Sequence, residues 1–303
     1  MRDIKNKLTS SKNTKNIQTR KGKSFGYQVL GFGAGGSNPP PYPIATGGTV
    51  SETGNFRIHT FTGDGTFAIE ALGVDDNSFE MDYLVVAGGG GGYTFDGNNG
   101  GYGGGAGGYR EANATYSPSS PLANPSGKVT LSAAGSFAVT VGAGGGRSGQ
   151  NAEPPSTGGN STIGFPSAIT SHGGGSGGSG GSGSGGLPTS PSGKAGNTPP
   201  FSPPQGNSGS PSPSTSPPFN ARTGGGGGGA TASGSGTGGG AGTISTITGS
   251  NSVTLSIGGN GWPGSSGTSG GANTARGGDA GNPKTSNAGG GGSGLVAIRY
   301  RYQ

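Results

Sequence analysis

Apolar residues occur in a few short runs along the first half of the chain and at its end, with glycine between them. The segments Asn55–Thr62 and Gly65–Glu70 alternate apolar and polar residues on either side of Gly63-Asp64, which is the pattern of a β-hairpin. Phe79–Val86 predicts a third strand. Its outer half alternates, whereas its inner half is uniformly apolar, as expected for a strand that is buried on both faces.

Further strands follow from the same pattern. Lys128–Leu131 and Ser136–Val141 are candidates for a second hairpin, and Ser252–Ile257 alternates as a single strand. Leu295–Tyr300 closes the chain, and Phe25–Phe32 is a short apolar strand near its start. The sequence therefore predicts an all-β protein with essentially no α-helix.

Glycine dominates residues 87–126 and 142–293. Glycine-rich chains are usually flexible linkers, because ordering glycine loses the most backbone entropy. One ordered alternative is the extended polyglycine II helix, which has three residues per turn and bonds only to neighbouring chains. Serines recur every third residue at Ser176, Ser179 and Ser182, which favours this alternative. We therefore expect an ordered lattice of such helices attached to the β module.

Composition limits the size of a conventional core. The 303 residues include 77 Gly and 22 Pro, and only 26% are hydrophobic, so a core of ordinary composition cannot extend along the whole chain. Glycine does not recur strictly at every third position, which excludes collagen. The predicted parts are a basic N-terminal arm (1–24), an anchoring strand with a Pro-rich linker (25–47), a β module with the first glycine motifs (48–142), and a polyglycine sandwich (143–303) that carries a Pro-rich surface insertion (187–220) and the closing strand (294–302).

The net charge of +6 comes from one end of the chain. Residues 1–23 contain eight of the 18 basic residues and one of the 12 acidic ones, so the rest has 10 − 11 = −1. The arm is either a solvated tail or a segment that docks on an acidic surface, of protein or nucleic acid. The chain has no cysteine, no apolar run of about 18 residues and no apolar stretch at its start. We therefore expect no disulfide framework, no membrane insertion and no secretory signal.

Residues that support catalysis are few. His59 lies in a predicted strand, where we expect it to be half-exposed, and His172 has no second metal ligand near it in the sequence. Asp75-Asp76 adjoins a predicted turn, which favours a turn role over an acid–base pair. Gly31–Gly36 matches a dinucleotide-binding pattern, but the prolines that follow cannot open the helix this pattern requires. The sequence predicts no enzyme, no cofactor and no metal site.

Five motifs stand at the boundaries between the predicted strands and the glycine-rich segments: Phe56–Phe67, Asp82–Gly92, Gly103–Arg110, Val139–Gly146 and Gly289–Tyr300. These motifs resemble the glycine-rich domain of tailed-bacteriophage virion proteins, including tail-fibre proteins and the fibre-tip adhesins of T-even-like phages. The opening Phe25–Gly33 also resembles the start of glycine-rich virion proteins from marine phages. The resemblance implies a layered polyglycine II sandwich whose loops select a bacterial receptor. The N-terminal arm, the hairpin module and the long Pro-rich insertion depart from the adhesins, so the neck, the capsid surface and the fibre shaft remain alternative positions.

The leading expectation is a non-enzymatic virion structural protein that displays this domain for host recognition. The alternatives are a capsid or neck decoration protein, or a shaft protein, with no receptor-binding role. A secreted ice- or polysaccharide-binding protein is a third class, which the missing signal and cysteines disfavour. The expected partners are other virion proteins through the arm and a bacterial surface receptor, protein or glycan, with no nucleic acid; assembly into oligomers on the virion is compatible with this expectation.

Loop aromatics are the candidates for receptor binding, because they offer large contact area at low entropic cost and stack on sugar rings. They are Tyr93, Phe95, Tyr102, Tyr109, Tyr116, Phe201, Phe219 and Trp262. The alternative for each is a role in capping the glycine layer without touching a partner. The candidates for virion anchoring are Lys12, Lys15, Arg20, Lys21, Lys23, Phe25, Tyr27 and Val29.

Overall fold

A computed structural model describes most of the chain from Pro40 to Gln303. The described residues are 40–73, 79–94, 100–113, 122–124, 127–149, 154–214, 222–249, 253–263, 267–282 and 286–303. They contain eleven β-strands and no α-helix, and so no helix that could cross a membrane. The strands are β1 (Ile44–Thr46), β2 (Thr49–Thr53), β3 (Phe56–Phe61), β4 (Gly65–Ala71), β5 (Phe79–Val86), β6 (Tyr109–Ala112), β7 (Val129–Leu131), β8 (Gly135–Thr140), β9 (Ser161–Ile163), β10 (Ile169–Ser171) and β11 (Leu295–Arg301). The predicted all-β class and the closing strand are confirmed.

The strands form two antiparallel sheets. The first sheet has the order β1-β4-β8-β9-β10 and the second has the order β2-β3-β11-β5-β6, with β7 paired to the outer part of β5. The last strand of the chain therefore lies at the centre of the second sheet, between β3 and β5. Its pairing with β5 places Val296 opposite Val85 and Arg299 opposite Asp82.

Apolar side chains pack on both faces of the second sheet. Tyr83 and Val85 of β5 lie in the core between the two sheets, together with Phe67 of the first sheet. Leu84 and Val86 lie in a second core on the opposite face. This confirms that the inner half of β5 is buried on both faces, because alternate residues of a strand point to opposite sides.

Both predicted hairpins are wrong. β3 and β4 belong to different sheets, and the turn at Gly63-Asp64 carries the chain from one sheet to the other. Likewise β7 pairs with β5, whereas β8 pairs with β4 and β9. The pattern fixes which residues face the core, but it does not distinguish a turn within a sheet from a turn between two packed sheets.

Two further expectations are corrected. Ser252 lies outside the described residues, and residues 253–257 form no strand; Leu255 makes only an isolated bridge to Thr243. His59 lies in β3 as expected, but its side chain is 0% exposed rather than half-exposed. Its Nδ1 lies 2.7 Å from the Gly47 carbonyl oxygen and its ring stacks on Tyr300, so both polar and apolar contacts support its burial.

The glycine-rich segments form an ordered, hydrogen-bonded layer, which we call the glycine layer. The segment 87–93, which continues β5, bonds to its neighbours with a period of three. The N–H groups of residues 87, 90 and 93 donate to segment 102–108, those of 88 and 91 to segment 156–159, and those of 89 and 92 to segment 289–292, at N···O distances of 2.9–3.0 Å. The carbonyl oxygens of residues 88, 89 and 90 accept from Gly174, Gly145 and Gly278.

Segment 87–93 is thus surrounded by six neighbours. A Cβ atom at Gly88 would lie 2.0 Å from the Ala143 carbonyl oxygen, and one at Gly89 would lie 2.2 Å from that of Arg276. Glycine is required here by the close approach of neighbouring backbones. The threefold repeat is the bonding pattern that polyglycine II needs, and the helical conformation itself stays a prediction.

Much of the Pro-rich stretch is exposed, and parts of it also bond to the glycine layer. The Lys194 N–H donates to the Ser184 carbonyl oxygen at 2.9 Å, and the Gly209 N–H donates to that of Lys194 at 3.0 Å. The spaced serines do not share one face: the Ser176 hydroxyl donates to the Gly91 carbonyl oxygen, the buried Ser182 hydroxyl donates to that of Gly229, and Ser179 is exposed.

Candidate functional site

The glycine layer has one end at the sheets and a second end remote from them, which we call the distal end. Residue 87 bonds to residue 108 beside the sheets, and Tyr93 bonds to Tyr102 six residues further along. At this level the Trp262 N–H donates to the Gly101 carbonyl oxygen at 3.1 Å, and the Gly224 N–H donates to that of Trp262 at 2.7 Å. The bonding therefore brings together four parts of the chain that are far apart in sequence.

Two tyrosines form a stacked pair at the distal end. The ring centroids of Tyr93 and Tyr102 are 5.3 Å apart, with an interplanar angle of 22°. Tyr102 is 5% exposed, and burial raises its pKa to about 12, so its hydroxyl stays protonated at neutral pH. Tyr93 and Trp262 are partly exposed. Tyr102 thus packs against Tyr93 from within the layer, whereas Tyr93 and Trp262 remain partly exposed.

Polar contacts hold the distal segments in place. The Arg276 guanidinium lies 2.6 Å from the Asp279 carboxylate, and the same carboxylate oxygen accepts the Asn260 N–H at 2.8 Å. The Thr94 N–H donates to the Ser148 hydroxyl at 2.7 Å. The end of the layer is therefore fixed by side chains as well as by the backbone.

The other predicted aromatic residues lie elsewhere or outside the described residues. Tyr109 is 1% exposed at the sheet end, so it offers no contact area to a partner. Phe201 is partly exposed, also at the sheet end, on the loop that precedes Gln205. Phe95, Tyr116 and Phe219 lie outside the described residues, as do all eight candidates for virion anchoring.

A buried polar cluster on the second sheet was missed by the sequence reasoning. Arg299 Nη2 lies 2.7 Å from Asp82 Oδ2 and 2.9 Å from Asn113 Oδ1, and the Arg299 and Asp82 side chains are 4% and 3% exposed. Nearby, the Tyr109 hydroxyl donates to Glu111, and burial raises the pKa of the Glu111 carboxyl. The available signal was Asp82 within the predicted strand Phe79–Val86 and Arg299 within the predicted strand Leu295–Tyr300, which can meet only if those strands pair.

The geometry of the distal end supports recognition by contact. Partly exposed rings on a rigid hydrogen-bonded frame give contact area without a large loss of side-chain entropy. Within the described residues, no three His, Asp or Glu side chains are grouped closely enough to hold a metal ion.

The sequence model of a glycine-rich domain family matches residues 60–301. The protein therefore belongs to this family of glycine-rich domain proteins, and the match spans β4 to β11 and the glycine layer. No curated protein matches the chain.

Proposed function

We propose that the protein is a non-enzymatic structural component of a tailed-bacteriophage virion, of the tail-fibre or adhesin type, and that its distal end contacts a receptor on the bacterial surface. The proposal is supported by the resemblance of the boundary motifs to phage glycine-rich domains. Membership of the glycine-rich family is consistent with it and is less specific.

One observation carries the receptor-binding part of the proposal. The glycine layer brings segments from separate parts of the chain together at one end, where Tyr93 and Trp262 are partly exposed. Loops held by such a frame can vary in sequence without changing the frame, because the frame is bonded through its backbone. A constant frame that carries variable loops is expected of a recognition domain.

The same proposal assigns particle attachment to the N-terminal arm. Residues 1–23 contain eight of the 18 basic residues, and the rest of the chain has a net charge of −1. Electrostatic attachment to other virion proteins would therefore depend on this arm, and it would weaken as salt screens the charges over about 8 Å at physiological ionic strength.

Two experiments test the proposal. Labelled antibody on purified virions should locate the protein at a fibre tip; a capsid, neck or shaft position without host binding would favour the decoration or shaft alternative. Tyr93→Ser with Trp262→Ser should reduce adsorption of the protein to host cells, whereas Tyr42→Ser, which removes a 45% exposed ring outside the glycine layer, should not. Unchanged adsorption by a correctly folded double variant would refute distal-end recognition.

A further inference from the structure

Arg110 occupies an unusual position at the side of the β-sandwich. It lies on β6, an edge strand of the second sheet, and its Nη1 donates to the Thr170 carbonyl oxygen of β10 at 3.0 Å. β10 is an edge strand of the first sheet, so this bond links the two sheets on one side. The guanidinium carbon also lies 4.3 Å from the centroid of the Phe201 ring, which fixes the plane of the group.

Arg110 has no acidic partner among the described residues. Four other basic side chains form ion pairs there: Arg57 with Glu52, Lys128 with Glu80, Arg276 with Asp279 and Arg299 with Asp82. The adjacent Glu111 points to the opposite face of the sheet, where it contacts Tyr109 and Ser245. Arg110 is only partly buried.

The free edge of the guanidinium has a specific geometry. Because Nη1 is bonded to Thr170, the Nε–H and Nη2–H groups remain, and these two point in the same direction. Two parallel N–H donors match the two oxygens of a carboxylate, which gives a bidentate, charge-assisted pair. We propose that Arg110, with Phe201 beside it, forms a binding site for the carboxylate of an acidic saccharide such as a uronic acid.

The surrounding loop favours a compact ligand over a peptide strand. The Gln205 carbonyl oxygen accepts the Tyr109 N–H at 2.7 Å, and the Gln205 side chain accepts the His172 N–H at 2.9 Å. These bonds occupy the Tyr109 donor on β6 and the His172 donor just after β10, so an added strand could not use either donor. Asn197 holds the loop by accepting the Phe201 N–H at 3.0 Å, so the ring is positioned before any ligand arrives. The site is at the sheet end of the layer and does not depend on the proposed virion function.

Titration with sodium glucuronate, followed by NMR of the histidine rings at constant ionic strength, tests this site. His172 lies next to Phe201, with ring centroids 5.6 Å apart, and its signals should move, whereas those of the buried His59 should not. Glucose at the same concentration should leave both unchanged. Acetate should bind more weakly than glucuronate; equal binding would overturn the saccharide assignment.

Two variants separate binding from folding. Arg110→Lys keeps the charge but loses the paired donors, and we expect affinity for glucuronate to fall about tenfold or more. Arg147→Lys, at an exposed arginine elsewhere in the glycine layer, is the matched control and should bind as the wild type does. If Arg110→Lys lowers the melting temperature, Phe201→Leu provides the second comparison, and it should also weaken binding. Wild-type affinity for glucuronate in both Arg110→Lys and Phe201→Leu, or unchanged His172 NMR signals on addition of glucuronate, would overturn the proposal.

Discussion

Alanine at Gly90 tests how closely the glycine layer is packed. The Gly90 N–H donates to the Gly105 carbonyl oxygen at 2.9 Å, and its own carbonyl oxygen accepts from Gly278 at 2.9 Å. A Cβ atom would lie 2.3 Å from the Gly175 carbonyl oxygen and 2.7 Å from that of Gly174. Cβ atoms essentially never approach other atoms within 3.0 Å, so the backbones must move apart by at least 3.0 − 2.3 = 0.7 Å.

Three terms determine the expected change in the free energy of unfolding. Forcing extra volume into a close-packed site costs about 1–3 kcal/mol. The displacement also weakens two hydrogen bonds, each worth about 1 kcal/mol. Alanine restricts the unfolded chain, which returns about 0.4–1 kcal/mol. The expected net loss is about 2–4 kcal/mol, and at roughly 2–4 °C per kcal/mol for a protein of about this size the melting temperature should fall by about 5–15 °C.

Gly178→Ala is the matched control, because it makes the same chemical change in the same layer. A Cβ atom at Gly178 would have nothing within 4 Å, and its φ is not in the left-handed region. Thermal unfolding followed by circular dichroism should show a large shift for Gly90→Ala and a change of a degree or two for Gly178→Ala. Equal melting temperatures for the two variants would refute close packing around Gly90.

Three further predictions concern buried ionisable side chains. Arg299→Met leaves the Asp82 carboxylate buried without its cation, so the free energy of unfolding measured in urea should fall by about 3–5 kcal/mol. Adding Asp82→Leu should recover part of this loss. An unchanged free energy of unfolding in the single variant would contradict the pairing. Burial raises the pKa of Glu111, so the contribution of this carboxyl to stability is present below its unfolded pKa and is lost as the pH rises through its folded pKa. The stability of Glu111→Gln relative to wild type should therefore increase from pH 4 to pH 7. A constant difference between the two proteins would contradict this prediction. Burial lowers the pKa of His59, so the contribution of this neutral side chain to stability is present above its unfolded pKa and is lost as the pH falls. An NMR titration should therefore give His59 a pKa below 6.5. A pKa at or above 6.5 would be inconsistent with its burial.

The sequence predicts strands better than it predicts sheets. The inner half of Phe79–Val86 and the start of Leu295–Tyr300 are recognisable because two-faced burial requires a continuous run of apolar residues. The assignment of β3 and β4 to different sheets is not recognisable, because Gly63-Asp64 permits both kinds of turn. β9 and β10 have only three residues each and lie within glycine-rich sequence, so they carry too little periodicity to be found.

The candidate site was predictable in residue type but not in position. The aromatic residues stand out against glycine, yet their burial depends on the level of the layer at which each one lies. Tyr93 and Tyr102 meet because residues 87–93 and 102–108 run antiparallel, which only the hydrogen-bond pattern reveals. Arg110 offers no sequence signal, because its role depends on two strand edges that are sixty residues apart in the chain.

Hydrogen exchange of the backbone amides tests the central claim most directly, since the proposed display of distal loops requires an ordered layer. The amides of residues 88–92, 103–108 and 173–175 donate hydrogen bonds inside the protein, so their protection should approach that of β5. Amides in these segments that exchange at the rates of an unstructured chain would identify the glycine-rich region as a flexible linker and contradict the account.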